Sequence, residues 1–138
     1  LPIFYGAYLG VAEAAREIAL SIAARKKEDP NVPLILGEME NQIVSAQITH
    51  ASMIALTASA KPGVETTNAM ICRRTIFVNA VIGAVEKAME VSGGPGFYRS
   101  TGLERCFRDV QGARYHPIQE KPQTRLTGRI LLGLDVDG

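Results

Sequence analysis

Apolar positions recur along this chain at steps of three and four residues, the period of an amphipathic helix. From about Ile3 to Lys27 two neighbouring stripes run together. One holds Leu9, Ala12, Arg16, Ala19 and Ala23; the other holds Tyr8, Val11, Ala15, Ile18 and Ile22. Their joint width predicts a long helix with a broad apolar face, and its many alanines allow close approach to other helices. Arg25-Lys26-Lys27 fall in its last turn, where cations suit the negative end of the helix dipole, and Pro30 stops it. A second helix is predicted from about Pro33 to Ala60 through Leu36, Met39, Ile43, Ala46, His50, Met53 and Leu56. Lys61-Pro62-Gly63 turns the chain.

The third stripe is Ile71, Arg74, Val78, Ile82, Val85 and Met89. Thr66-Thr67-Asn68 supply its expected cap, and Ser92-Gly93-Gly94 its end. A glycine-rich loop, Ser92 to Tyr98, leads to a shorter helix from about Gly102 to Ala113. Ser100 or Thr101 would cap that helix, with Glu104 completing a capping box. A last helix is expected from Pro122 to Leu132, followed by a fraying tail, Gly133 to Gly138. No stretch alternates with the period of a strand. The fold class is therefore all-α, an antiparallel helical bundle in a single domain.

Composition narrows the function classes. The 138 residues carry 15 Lys and Arg against 14 Asp and Glu, a net charge of +1, which gives no polyanion-driven nucleic-acid binder. Cys72 and Cys106 stand far apart with no Cys-x-x-Cys, so neither a disulfide scaffold nor a zinc ribbon is expected, and a cytoplasmic location is the default. Two isolated His and two isolated Cys do not build a metal site. No run of about 18 uncharged apolar residues predicts a membrane span; Leu1 to Leu20 comes nearest and is broken by Glu13, Arg16 and Glu17. The opening Leu1-Pro2-Ile3 has no basic n-region, and the chain reads as a piece of something longer.

Candidate chemistry gathers between Glu90 and His116. Gly93-Gly94-Pro95-Gly96 frees backbone N–H groups for close approach to an anion, although a glycine cluster after a helix is also an ordinary C-cap. Between Arg99 and Arg129 seven Lys and Arg face three acids, an excess suited to a phosphate-bearing cofactor or to a subunit contact. Arg108-Asp109 reads either as a solvated pair or as a buried pair locking its helix into the bundle. His50, on a helix among apolar and small residues, reads as a satisfied core or interface histidine. His116, in a loop before Pro117, is the better candidate for chemistry, with a carbonyl-capping role as its structural alternative.

These residues carry a resemblance. Glu90-Val91-Ser92-Gly93-Gly94-Pro95-Gly96-Phe97-Tyr98-Arg99, then Leu103-Glu104-Arg105-Cys106-Phe107-Arg108-Asp109, resembles the C-terminal helical domain of acyl-CoA dehydrogenases, and Gly6 to Ala15 looks like the start of that domain's first helix. The resemblance implies a bundle that helps to bind FAD, sits at the C-terminal end of a longer flavoenzyme and assembles as a homo-oligomer, a dimer or tetramer. It implies that Gly93, Gly94 and Gly96 face the flavin of a neighbouring subunit, with Glu90 where the family usually has Gln. Arg25 and Lys26 stand where the family places an Arg that meets the FAD pyrophosphate, there followed by Phe-Gly and here by Lys27-Glu28-Asp29. Many members carry a catalytic Glu in Tyr-Glu-Gly-Thr; this chain reads Tyr115-His116-Pro117-Ile118, and an alternative Glu position falls at or before Leu1.

The Arg-Asp helix followed by a loop His is similar to the related monooxygenases, which take reduced flavin (FMN or FAD) from a reductase. There a His could hydrogen-bond the substrate hydroxyl and tune proton transfer. The resemblance thus leaves two enzyme readings. One is dehydrogenation of an acyl-CoA, with α-proton abstraction by a carboxylate; the other is monooxygenation of a small organic substrate. A non-catalytic oligomerisation module is the third reading, carried by the wide apolar faces.

Overall fold

Helix-forming alanines and the absence of internal proline let the first segment run as one rod. In the computed structural model, which describes residues 2–138, α1 spans Pro2–Ala23 and tightens into a 3-10 turn, Ala24–Lys26. Helix α2 (Asn31–Ser59) and α3 (Val64–Ser92) follow. Two short 3-10 turns, Gly94–Phe97 and Arg99–Thr101, lead into α4 (Leu103–Val110). That helix winds into a further 3-10 turn, Gln111–Tyr115, before α5 (Glu120–Leu131). No strand occurs among the described residues.

Cross-helix bonds set the directions. Arg16 Nε donates to Glu40 at 2.6 Å and Gln47 donates to Glu13 at 3.0 Å, so α1 and α2 are antiparallel. Arg73 donates to Ser52 and Lys87 to Glu38, which makes α2 and α3 antiparallel as well. Gly112 lies against Tyr8 and Gly102 against Ile18, so α4 returns along α1. The result is an up-down-up-down bundle with α5 laid along the first half of α3, where Thr75 donates to Gln123 at 2.6 Å and Asn79 to Glu120 at 2.9 Å. The core holds Ala12, Ala15 and Ala19 of α1, Met39, Ile43 and Met53 of α2, and Phe77, Val81 and Val85 of α3, closed by Leu103 and Val110 of α4.

Helix α3 is long and apolar enough to cross a membrane by composition. Half of its most apolar window is buried inside the bundle, as the central helix of a packed core requires.

Several expectations need correction. Helix α3 begins at Val64, ahead of the Thr66-Thr67-Asn68 cluster. The Thr66 hydroxyl reaches back to the Lys61 carbonyl, and Asn68 accepts from Thr127 of α5 at 2.7 Å instead of capping. Helix α4 ends at Val110, three residues early, because its last turn tightens to 3-10 geometry. Its first N–H is served only weakly by Thr101, at 3.4 Å, and Gly102 (φ +78°) makes the entry. Helix α5 starts at Glu120, which puts Pro122 inside its first turn, where a missing N–H costs nothing. The tail after α5 is exposed throughout; Leu134 N–H donates to the Arg129 carbonyl at 2.9 Å, and Arg125 donates to Gly138 at 3.0 Å. Arg108 and Asp109 are both exposed and form no ion pair among the described residues, so the pair does not act as a buried lock.

Candidate functional site

His116 has an extended backbone (φ −74°, ψ 137°) just past the 3-10 turn that ends α4. Pro117 follows and favours that extended conformation. The imidazole meets the first two turns of α1. His116 Nε2 and the Tyr8 hydroxyl share a 2.7 Å hydrogen bond whose direction follows the imidazole tautomer. Phe4 stacks on the ring at a centroid distance of 6.0 Å, and Tyr5 and Tyr8 meet it edge-on at 6.1 and 5.4 Å. Gly112 makes room for this arrangement, since a Cβ there would lie 3.0 Å from the Tyr8 hydroxyl.

Beneath His116 lies Arg74, almost wholly buried at 1% exposure. Its Nη2 donates to the carbonyls of Ala113 (3.0 Å), Arg114 (3.1 Å) and His116 (2.8 Å), and its Nε to the Tyr5 hydroxyl at 3.2 Å. Those carbonyls end the helical run of α4, where orphan acceptors and the negative end of the dipole both call for a cation. Arg74 is that cation. The capping role weighed for His116 is therefore filled from α3. The His116 backbone is held by Arg74 and its side chain by Tyr8, so two different helices fix one residue.

Sequence reasoning singled out His116 but passed over Arg74, Tyr5 and Tyr8. The signal for Arg74 was present: it occupies an apolar stripe between Ile71 and Val78, a slot that admits a charge only when its donors are met. His50 is satisfied as expected, with Nε2 2.9 Å from the Pro2 carbonyl and its ring against Phe77.

The glycine loop lies at the other end of the bundle. Ser92 closes α3 eighteen residues after Arg74, about 27 Å along the axis at 1.5 Å per residue. Within one chain the structure does not bring His116 and Gly93 together. It does join Lys26 to the loop: Lys26 Nζ donates to the Ser92 carbonyl at 3.1 Å and lies 3.5 Å from where a Gly93 Cβ would stand. Gly93 needs its freedom, at φ +65°. Gly94 is exposed, and a Cβ there would meet nothing within 4 Å. Gly96 turns inward against Leu103 and Met89, and its N–H is spent on the Gly93 carbonyl. Arg25 is exposed at the same end; Glu90 is exposed and accepts from Lys87 at 3.1 Å.

Two features of this end fit a phosphate-bearing group. The Lys26 ammonium keeps two donors after its bond to Ser92. The Ser92 hydroxyl, buried beside the loop, has no hydrogen-bond partner among the described residues. No cluster of three or more metal-ligating side chains occurs among the described residues.

Both cysteines are free. Burial, then the nearby Asp109 carboxylate, pushes the Cys106 thiol above its ordinary value, against the opposing pull of its backbone hydrogen bond and Arg105. Alkylation of Cys106 should therefore rise with pH along a curve displaced upward from that of a free cysteine. Mass mapping of iodoacetamide adducts across pH 7–10 reads this, and a midpoint at or below the free-thiol value would refute it. The same shift stabilises the fold below the unfolded thiol's value, and that contribution is lost as pH rises through the folded one.

Known proteins place the chain. Residues 3–120 match the family described as acyl-CoA dehydrogenase, C-terminal domain. "Putative acyl-CoA dehydrogenase YdbM" of Bacillus subtilis (strain 168) is 30% identical over 121 residues, 80% of this chain and 31% of that protein. The amino sugar nitrososynthase DnmZ of Streptomyces peucetius is 30% identical over 141 residues, 93% of this chain and 34% of that protein. Among solved structures, KijD3 in complex with FMN and dTDP-3-amino-2,3,6-trideoxy-4-keto-3-methyl-D-glucose superposes with a TM-score of 0.80 at 23% identity, covering 95% of this chain and 35% of that one. The HsaA monooxygenase from M. tuberculosis gives 0.75 at 18% identity, covering 93% and 36%. The chain thus spans about a third of the length of these relatives. With the all-α bundle and the glycine loop after its third helix, the match over residues 3–120 shows that this chain belongs to the acyl-CoA dehydrogenase C-terminal domain family.

Proposed function

We propose that this chain is the C-terminal bundle of a flavin-dependent oxidoreductase in which His116 handles a proton of a small organic substrate. The carrying observation is the hydrogen-bonded Tyr8–His116 pair, ringed by Phe4 and Tyr5, with no carboxylate bonded to it among the described residues. An imidazole exchanges protons near neutral pH, and Tyr8 would orient it and pass a proton on or back. Arg74 would fix the loop so that the imidazole keeps its place during turnover. At the opposite end Lys26 and Arg25, with the open backbone at Gly93 and Gly94, would hold the phosphate of the flavin. The flavin, once bound, supplies the redox chemistry. Because the two ends lie about 27 Å apart, they would serve two flavins, the loop reaching that of a neighbouring copy.

Of the two finer readings, the His–Tyr pair favours oxygenation with reduced flavin, in line with the 30% identity to a nitrososynthase over nearly the whole chain. Dehydrogenation of an acyl-CoA, with FAD and a carboxylate base from another part of the protein, is favoured instead by the similarity to YdbM. The full-length protein separates them. On the first reading, reduced FMN or FAD supports oxygen uptake that a small amine or phenol accelerates, and acyl-CoA thioesters bleach no bound flavin. Bleaching of a bound yellow cofactor by an acyl-CoA would establish the second. A protein that binds neither oxidised nor reduced flavin would end both and leave the oligomerisation module.

A further inference from the structure

The end of the bundle where α2 turns into α3 holds a cavity of about 510 Å³. Small-molecule sites usually measure about 300–1,000 Å³. Its floor is apolar: Ile71 is buried, with Leu56 and Met70 half-buried beside it. Pro62 of the α2–α3 turn forms one wall. Pro117 and Ile118, the two residues after His116, form the other. Among the described residues no charged side chain lines it. Clefts of like size elsewhere differ in this respect. Glu13, Arg16, Glu17 and Glu40 line one between α1 and α2, and Lys121, Arg125 and Arg129 line one along α5.

The walls are held by bonds within the chain. Arg74 fixes the His116 carbonyl, just ahead of Pro117, at 2.8 Å. On the other side the Ala60 N–H donates to the Leu56 carbonyl at 3.0 Å, and the Thr66 hydroxyl donates to the Lys61 carbonyl. Pro62 and Pro117 stiffen their stretches of backbone. A site shaped in advance loses little freedom when it fills. Its polar groups are hydroxyls. Those of Thr57 and Thr66 donate to backbone carbonyls and keep lone pairs with which to accept. Thr67 is exposed at the mouth, and its hydroxyl is able to donate or accept. Met70, unbranched and polarizable, adapts to the outline of an occupant.

We infer that this cavity binds an uncharged, mainly apolar organic molecule of two or three rings, with one carbonyl or hydroxyl group directed at Thr67. The size follows from the volume, since a cavity of about 150 Å³ holds one benzene ring. The neutrality follows from the lining, where a desolvated charge would find no partner. The occupant is distinct from the group on which His116 acts. Phe4, Tyr5 and Tyr8, the rings around the imidazole, all belong to α1, and no α1 residue lines the cavity. The site is therefore independent of which reaction the protein performs.

The test uses the full-length protein and 1-tetralone, a neutral two-ring ketone that is neither an amine nor a phenol. Equilibrium dialysis should show one molecule bound per chain. The anion 1-naphthoate, of similar size, should bind about tenfold more weakly or worse. Hydrogen exchange should slow on binding in peptides covering residues 56–71 and 118–119, and stay unchanged over residues 4–8. Thr67→Trp, which fills the mouth from an exposed position, should weaken binding about tenfold or more. Thr67→Val, which keeps the shape and loses the hydroxyl, should weaken it about 3–10-fold. The amine, phenol or acyl-CoA that supports turnover should not compete with tetralone. Equal binding of the anion, protection confined to residues 4–8, or unchanged affinity in Thr67→Trp overturns the site. Competition with the substrate overturns its separateness and would make the cavity part of the reaction site. Failure of the wild type to bind tetralone also overturns the inference, since another part of the protein would then fill the cavity.

Discussion

Arg74→Ala should cost about 3–5 kcal/mol of folding stability, the largest loss expected from any single substitution in this chain. The guanidinium is buried and satisfies four acceptors at once: three carbonyls at the end of the α4 helical run and the Tyr5 hydroxyl. Removing it orphans the buried Ala113 carbonyl and Tyr5 hydroxyl, at about 1–3 kcal/mol each, frees the half-buried Arg114 and His116 carbonyls, and opens a cavity in the core. Domains of this size are stable by only about 5–15 kcal/mol, so the melting temperature should fall on the order of 10–20 °C. Arg74→Met separates the two causes. It refills most of the volume and restores none of the bonds, so it should recover less than half of the loss. Full recovery in urea titrations would show that Arg74 acts by packing alone.

Arg74→Lys should fall between wild type and Ala. An ammonium carries the charge but cannot present donors in the planar fork that reaches Tyr5 on one side and the carbonyls on the other. No carboxylate salt-bridges Arg74 among the described residues, so its charge is balanced by carbonyl dipoles and by the helix end. Low pH should therefore leave this interaction untouched, unlike the Arg16–Glu40 and Lys87–Glu38 pairs at the surface.

The same residue shows how far the sequence could be read. Helices α1 to α5 were legible because their apolar stripes run at the helical period and Pro and Gly punctuate them. The start of α3 was not, since Thr66, Thr67 and Asn68 each have a side chain able to cap, and the choice fell to the geometry of the turn through Gly63. Arg74 read as one more member of a stripe. Three of its four acceptors lie 39 to 42 positions further on and belong to the backbone, which leaves no mark in the sequence. The candidate site divided the same way. His116 stood out through its loop and Pro117. Tyr8, 108 positions away, looked like an ordinary helix residue until the fold set it 2.7 Å from the imidazole. The separation of His116 from the glycine loop was equally hidden, because sequence distance between the two is short while α4 and the 3-10 turn after it carry the chain back along α1 from the level of Ile18 to that of Tyr8.

Replacing His116 by Phe should lower turnover of the full-length flavoenzyme about 100-fold or more, the usual worth of a positioned general acid or base. Phe preserves a ring for Phe4, Tyr5 and Tyr8 to pack against and removes both nitrogens. The one bond lost with the imidazole is that to Tyr8, worth about 0.5–1.5 kcal/mol. Arg74 continues to hold the backbone, because it bonds the carbonyl of residue 116 and not its side chain. Activity and stability should thus part company in this variant: a large loss of rate beside a change of only a few degrees in melting temperature. Tyr8→Phe serves as the companion. It removes the same hydrogen bond and keeps the imidazole, so stability should change by a like amount while the rate falls less. Turnover unchanged in His116→Phe would reduce the Tyr8–His116 pair to a fastening between α1 and the end of α4 and would move the proton-handling group to another part of the protein. Equal rate losses in both variants would make the hydrogen bond, rather than the imidazole alone, the catalytic requirement.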